Sequence, residues 1–212
     1  LQQQCDQALE SMKKQAGRLT SLRQKAASVV ERQMKEKLIP LGIPNVQFKV
    51  ELTPKEVPDE TGTDKINFLF SANKNGQLQP ISQVASGGEI ARVMLSLKAM
   101  ISGAVKLPTI IFDEIDTGVS GSIAEKMAHI MQEMGALNRQ VISITHLPQI
   151  AALGSTHYKV YKEDHAEGTS SHIVQLDEKG RVEEIAHMLS GTTLTDAAIN
   201  NAKELLNQSY RK

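Results

Sequence analysis

The chain has 212 residues, with 24 Lys and Arg against 24 Asp and Glu, enough for one well-filled domain plus an appendage. Balanced charge excludes a global field that would drive it onto nucleic acid or membrane. The single cysteine, Cys5, excludes a disulfide framework and a Cys-based zinc site and fits a reducing, cytoplasmic setting. No apolar run approaches a membrane span, and no signal-peptide pattern is present. Leu1, which is in mid-pattern, reads as the start of a fragment.

Residues 1–39 read as one long helix. Cys5, Ala8, Met12, Leu19, Leu22, Ala26 and Val29 follow alternating three- and four-residue steps, with Gln15 in the polar slot. This is a heptad stripe. A coiled-coil strand and an amphipathic helix lying on its own domain both fit it. The stretch carries eight basic and four acidic residues, against twelve and fifteen in residues 86–212. Such a basic arm is compatible with phosphate contact, though a solvated helical face explains it as well. Pro40 and Gly42-Ile43-Pro44 end the helix. Two domains follow: an arm over 1–39 and a lobe over 40–212.

In the lobe, Val46, Phe48, Val50 and Leu52 alternate with polar residues as a half-buried strand does. Pro54 to Asp64 reads as a polar loop. Ile66, Phe68 and Phe70 alternate again before the turn residues Asn73 to Gly76. From residue 85 the pattern becomes α/β: a helix over Ile90–Ile101, a continuous apolar strand Thr109–Phe112 expected to be buried on both faces, a helix over Ile123–Leu137, and a second buried strand Val141–Ile144. Strands at 157–162 and 171–176 and a helix from Thr195 to Leu206 complete the chain. Alternation of this kind predicts a mainly parallel sheet flanked by helices, with a small antiparallel region at 45–84.

Three short strings carry chemistry. Thr109 to Phe112 ends in Asp113-Glu114, placing two carboxylates at the C-terminal edge of a strand, where α/β folds bind ligands. In nucleotide hydrolysis the first can hold Mg²⁺ and the second can orient the attacking water. Ser86-Gly87-Gly88-Glu89 precedes a helix. Its glycines let amides approach a phosphate, while Ser86 and Glu89 also satisfy the pattern of an ordinary capping box. His146 follows the second buried strand, where it can reach a phosphate or simply serve as a hydrogen-bonded structural residue. Gly118-Val119-Ser120-Gly121-Ser122 lacks the second glycine of a nucleophile elbow and reads as a turn into a helix. His157, His165 and His172 have no carboxylate or Cys at ligand spacing and read as surface histidines.

The order matters more than any one string. The glycine turn, the apolar-Asp-Glu string about 25 residues on and a strand-terminal His about 32 beyond it follow the order of ABC ATPases. Ser86 to Glu89 resembles the ABC signature, Ile110 to Glu114 the Walker B strand, and His146 the switch histidine. The SGGE form, with a helical arm entering before it, resembles SMC-type heads more than transporter subunits. Phe112 to Gly121, Thr145 to Ala152 and Arg181 to Gly191 are closely similar to strings of the bacterial RecN family of DNA-repair ATPases.

The resemblance implies an ATPase acting in double-strand-break repair and recombination, with two heads enclosing two ATP molecules. In it Asp113 binds Mg²⁺, Glu114 is the catalytic carboxylate and His146 senses the γ-phosphate. Ser86, Gly87, Gly88 and Glu89, and Ser120 after the acid pair, serve ATP across a homodimeric head interface. Where many SMC-type heads carry Leu-Asp, this chain has Val119-Ser120. DNA is the implied partner of the intact protein, acting in the cytoplasm on the nucleoid and with no membrane. The sequence has no Gly-Lys pair and so no P-loop, which makes an upstream half of the same protein the other implied partner. An ABC transporter subunit and a non-catalytic dimerisation module are the alternatives.

Overall fold

The periodic stretch at the start of the chain is a single helix, α1 (Gln2–Leu38), in the computed structural model, which describes residues 1–83, 86–105, 107–136, 138–165, 168–191 and 193–208. Lys35 and Lys37 in its last turn complement the negative end of the helix dipole. The chain then turns through Gly42 at φ 82°, and the Ile43 amide reaches back to the Leu38 carbonyl at 3.2 Å. Two compact units result, Leu1–Met100 and Ile101–Lys212.

In the first unit, β1 (Gln47–Asp59), β2 (Gly62–Ser71) and the short β3 (Gln79–Pro80) form an antiparallel sheet in that order. Helix α1 lies on β1 and β2. The face it turns to them differs from the heptad stripe: Ala16, Ala27, Met34 and Leu38 are buried, whereas Met12, Leu22 and Val29 stay exposed. The helix thus packs one stripe on its own domain and leaves the heptad positions Met12, Leu22 and Val29 open. Met34, Leu38, Ile43, Val46, Phe48, Phe70 and Val93 form the core; full burial of a side chain of this size contributes about 1.5–3 kcal/mol.

The expected loop at 54–64 is mostly strand instead, with only Glu60 and Thr61 as the turn between β1 and β2. Pro54 pairs with Asp64 and Asp59 with Gly62, with an irregularity between, and Pro54 is tolerated because β1 is an edge strand. The ladder is held here by polar anchors that periodicity does not report. Asp64 accepts from Thr20 at 2.8 Å and from Arg23 at 3.0 Å, and Arg23 also donates to the Thr61 carbonyl at 2.7 Å.

The first unit also holds most of α2 (Gly87–Ala104), after a 3₁₀ turn at Ile81–Gln83. Val93 enters the core. Arg92 donates to the carbonyls of Gly88 and Leu41, both at 2.9 Å, which ties the start of α2 to the turn after α1.

The second unit is a β-α-β arrangement with a helical flank. β4 (Thr109–Asp113) and β5 (Gln140–Ile144) pair in parallel, Thr109 beside Gln140 through Asp113 beside Ile144. The connecting α3 (Gly121–Ala136) buries Ala124, Met127, Ala128, Met131 and Met134. Among the described residues the parallel pairing is confined to these two strands. The expectation of strands buried on both faces fails: Ile110 and Phe112 are buried, but Ile111, Ile142 and Ile144 are 56%, 39% and 56% exposed. A continuous apolar run needs cover on two sides, and this chain supplies one.

Beyond α4 (Pro148–Ala152), β6 (Tyr158–His165) and β7 (Gly168–Gln175) form an antiparallel hairpin. Helices α5 (Glu178–Ser190) and α6 (Asp196–Gln208) follow. α5 is not among the predicted elements, because its apolar positions are few and Gly180 sits in its first turn. Asp177 starts it by accepting from the Gly180 amide at 2.7 Å, a side-chain N-cap. Ala152, Ile185, Ala186, Ala198, Ala202 and Leu206 knit α4, α5 and α6 together. No helix among the described residues is long and apolar enough to cross a membrane.

The Thr20 hydroxyl, and after it the Arg23 guanidinium, hold the Asp64 carboxyl below its ordinary value. A carboxylate depressed in the folded state contributes stability above its unfolded pKa, lost as pH falls through the folded one. Thermal melts of the wild type and Asp64→Asn should therefore differ at pH 7, with the wild type higher. The gap should narrow once pH drops below about 3.8, the ordinary carboxylate value; a gap independent of pH would remove ionised Asp64 from the account.

Candidate functional site

Strand β4 delivers the acid pair. Its last residue is Asp113, and Glu114 follows immediately, with both side chains exposed. Glu114 has φ 51°, in the left-handed region that non-glycine residues seldom occupy, at a cost of about 1–3 kcal/mol. A turn stabilises this geometry: the Thr117 amide and hydroxyl both donate to the Glu114 carbonyl, at 3.3 and 3.0 Å. Gly118 and Gly121 take positive φ, and α3 begins at Gly121. The decoy string is thus the turn into a helix that the sequence predicts, with exposed Ser120 just ahead of it.

Parallel pairing brings His146 to the same edge. Asp113 sits beside Ile144, and the chain leaves β5 through Thr145 and His146. The imidazole is 71% exposed, but its Nδ1 lies 3.1 Å from Asp116 Oδ2. Asp116 is 1% exposed. Its Oδ2 also accepts from the Thr145 hydroxyl and, at 3.0 Å, from the backbone amide of His146. Thr145 in turn accepts from the Leu147 amide at 3.0 Å.

Asp116 is not among the residues that the sequence singles out. The missed signal is its place within Asp-Glu-x-Asp, in a turn where a short carboxylate can fold back under the adjoining strand.

The glycine turn belongs to the first unit. Ser86 and Gly87 are exposed, Gly88 is buried and Glu89 half-buried. The Ser86 carbonyl accepts from the Ile90 amide at 3.0 Å, so Ser86 stands at the helix entry. A Cβ built on Gly87 meets nothing within 4 Å, so the fold itself makes no demand for glycine there.

Two of the histidine readings need correction. His157 is 9% exposed, not a surface residue; burial and then the nearby Arg181 charge push its pKa down. His165 and His172 do have a carboxylate neighbour. On the β6–β7 hairpin Glu163, His165 and His172 bring ligand atoms within 4.8 Å of one another, all exposed. His172 Nε2 lies 3.5 Å from Glu163, and its ring stacks on Tyr161 at 5.3 Å. Linear spacing hides this trio because hairpin register, Tyr161 beside His172 and Glu163 beside Ser170, creates it.

A long helix on an antiparallel sheet, and a parallel pair ending in carboxylates and a histidine, form the fold of SMC-type ATPase heads. A solved structure from work on ATP-driven dimerization and DNA-stimulated activation of SMC ATPases superposes with TM-score 0.54 at 17% identity, covering 82% of this chain and 99% of that one. The Smc head domain with a coiled coil and joint from Pyrococcus yayanosii gives TM-score 0.60 at 20% identity, covering 80% of this chain and 30% of that one. No protein-family model matches the chain.

In sequence the chain is 35% identical over 211 residues to DNA repair protein RecN of Halalkalibacterium halodurans, covering 96% of this chain and 37% of that protein. It is 37% identical over 196 residues to DNA repair protein RecN of Bacillus subtilis, covering 87% and 34%. Its sequence is therefore of the RecN family, and it spans about a third of the length of the curated relatives it matches.

The left-handed backbone at Glu114 sets an expectation for stability. Asn tolerates that conformation and a β-branched residue does not. Denaturant unfolding should find Glu114→Asn at least as stable as the wild type and Glu114→Val less stable by about 1 kcal/mol or more. Equal stability of the two variants would argue against the strained turn.

Proposed function

We propose that this chain is the C-terminal lobe of a RecN-type ATPase head, in a protein that acts in DNA double-strand-break repair and recombination. One observation carries the reading. In a RecN-family sequence, a parallel strand pair presents Asp113-Glu114 and His146 at a single edge, the acid pair on a strained turn and the histidine on a buried carboxylate.

Asp113 offers one exposed carboxylate. That suits Mg²⁺, which takes one or two carboxylates, keeps several waters and otherwise binds substrate phosphates. When bound, the ion neutralises charge on the β- and γ-phosphate oxygens. Glu114, exposed just beyond the strand, orients the attacking water and takes its proton. His146 faces the γ-phosphate.

Ser86, Gly87 and Gly88, with Glu89 in the first helical turn, bind the γ-phosphate of ATP held by a second protomer, and Ser120 lies at that same interface. The empty space around Gly87 supports this: a close approach from outside the chain is a reason for glycine that its own packing lacks.

With no P-loop in the sequence, the β-phosphate cradle comes from an upstream lobe. The exposed isoleucines of β4 and β5 are the surface such a lobe covers, since apolar strand faces bury themselves against a further layer. The open stripe of α1 likewise suits an antiparallel partner helix in a coiled-coil arm. ATP joining two heads gives differential affinity for the closed state, and hydrolysis releases it. In the cell the intact protein works on DNA in the cytoplasm.

In the full-length protein, Glu114→Gln should lower ATP turnover roughly 100-fold or more while leaving ATP bound and the heads joined. Unchanged turnover would remove Glu114 from the mechanism. Gly87→Val should leave circular dichroism and melting unaltered but abolish ATP-dependent head joining in light scattering; joining that persists would contradict the signature reading. The 212-residue chain alone should hydrolyse ATP at background, and steady turnover by it would refute dependence on an upstream P-loop.

A further inference from the structure

We infer that Asp116 is the positioning residue for His146, selecting the ring nitrogen that meets the nucleotide. This deepens the proposed function and rests on His146 facing phosphate. His146 Nδ1 lies 3.1 Å from Asp116 Oδ2, and since a carboxylate oxygen only accepts, a hydrogen on Nδ1 turns lone-pair repulsion at that contact into attraction and favours the Nδ1–H form. The backbone amide of the same histidine donates to the same oxygen at 3.0 Å. Main chain and ring of one residue thus meet at a single oxygen, which sets the direction of the side chain.

With Nδ1 committed inward, Nε2 is the outward nitrogen of a ring that is 71% exposed. In the neutral ring Nε2 accepts from a water; in the imidazolium it donates to a phosphate oxygen. In either state the atom presented is the same.

Geometry also argues against a role for Asp116 confined to folding. A buried carboxylate needs donors, and Thr145 Oγ1 and the His146 amide already provide two. The ring, which could point to solvent, is drawn in beside the same oxygen instead. Asp116 further belongs to the turn that strains Glu114: its carbonyl accepts from the Val119 amide at 3.1 Å, one bond along from the Thr117-to-Glu114 bond. The carboxylate therefore joins the turn carrying Glu114 to the strand end carrying His146.

Two measurements test this. In the 212-residue chain, ¹⁵N-histidine NMR should find the His146 hydrogen on Nδ1 in the wild type and on Nε2 in Asp116→Asn. In the full-length protein, Asp116→Asn should lower kcat by about 10- to 100-fold, as loss of an orienting partner does, with KM changed less than about 2-fold. In a His146→Ala background the same substitution should cost nothing further, an outcome a merely structural role would not give. Additive losses in that cycle, or an Nε2–H tautomer in the wild type, would overturn the inference. If His146→Ala leaves kcat unchanged while the Nδ1–H signature holds, the link between the two residues stands and the phosphate-facing reading of His146 falls.

Discussion

The parallel pairing of β4 with β5 is the constraint on which the site depends. It sets Asp113 beside Ile144, so that whatever follows each strand emerges at one edge. Two carboxylates follow the first strand and a histidine the second. Asp116 then crosses from one strand's turn to the other strand's end, with two donors and the His146 ring converging on one oxygen. A buried carboxylate satisfied in this way is costly to disturb, since removing any donor leaves charge poorly solvated. Strain at Glu114 can persist because the surrounding turn holds it.

The two faces of α1 show how one helix serves two surfaces. Ala16, Ala27, Met34 and Leu38 lie on the sheet, and Asp64 secures the helix through Thr20 and Arg23. The stripe holding Met12, Leu22 and Val29 remains open. Ala16 and Ala27 allow close approach in the first turns that meet the sheet, and Met34 and Leu38 fill the core nearer the helix end. A similar division runs through β4 and β5, where Phe112 and Ile110 are covered while Ile111, Ile142 and Ile144 are not. Apolar strand faces of this kind mark where a further layer belongs.

Local pattern was enough to locate most of the elements and the strings at their ends. Alternation located β1 and β2, apolar runs located β4 and β5, and the glycines at 87 and 88 marked the entry to α2. Local signals suffice there because each depends on neighbours within a few residues. Asp113, Glu114 and His146 were legible for the same reason, as polar residues that stop an apolar strand. The family was legible too, because Phe112 to Gly121 and Thr145 to Ala152 are long and specific strings.

Only the tertiary structure decided what depends on residues far apart in sequence. Most of residues 54–64 became strand because Asp64 is anchored by a helix some forty positions earlier. His157 is buried, and Glu163 meets His172, through packing and hairpin register that linear spacing does not encode. Asp116 reads as one more acid in a polar turn until β5 is laid beside β4. Pairing then puts Thr145 and His146 over its carboxylate, because hydrogen bonds act through space while sequence patterns report only what is near along the chain.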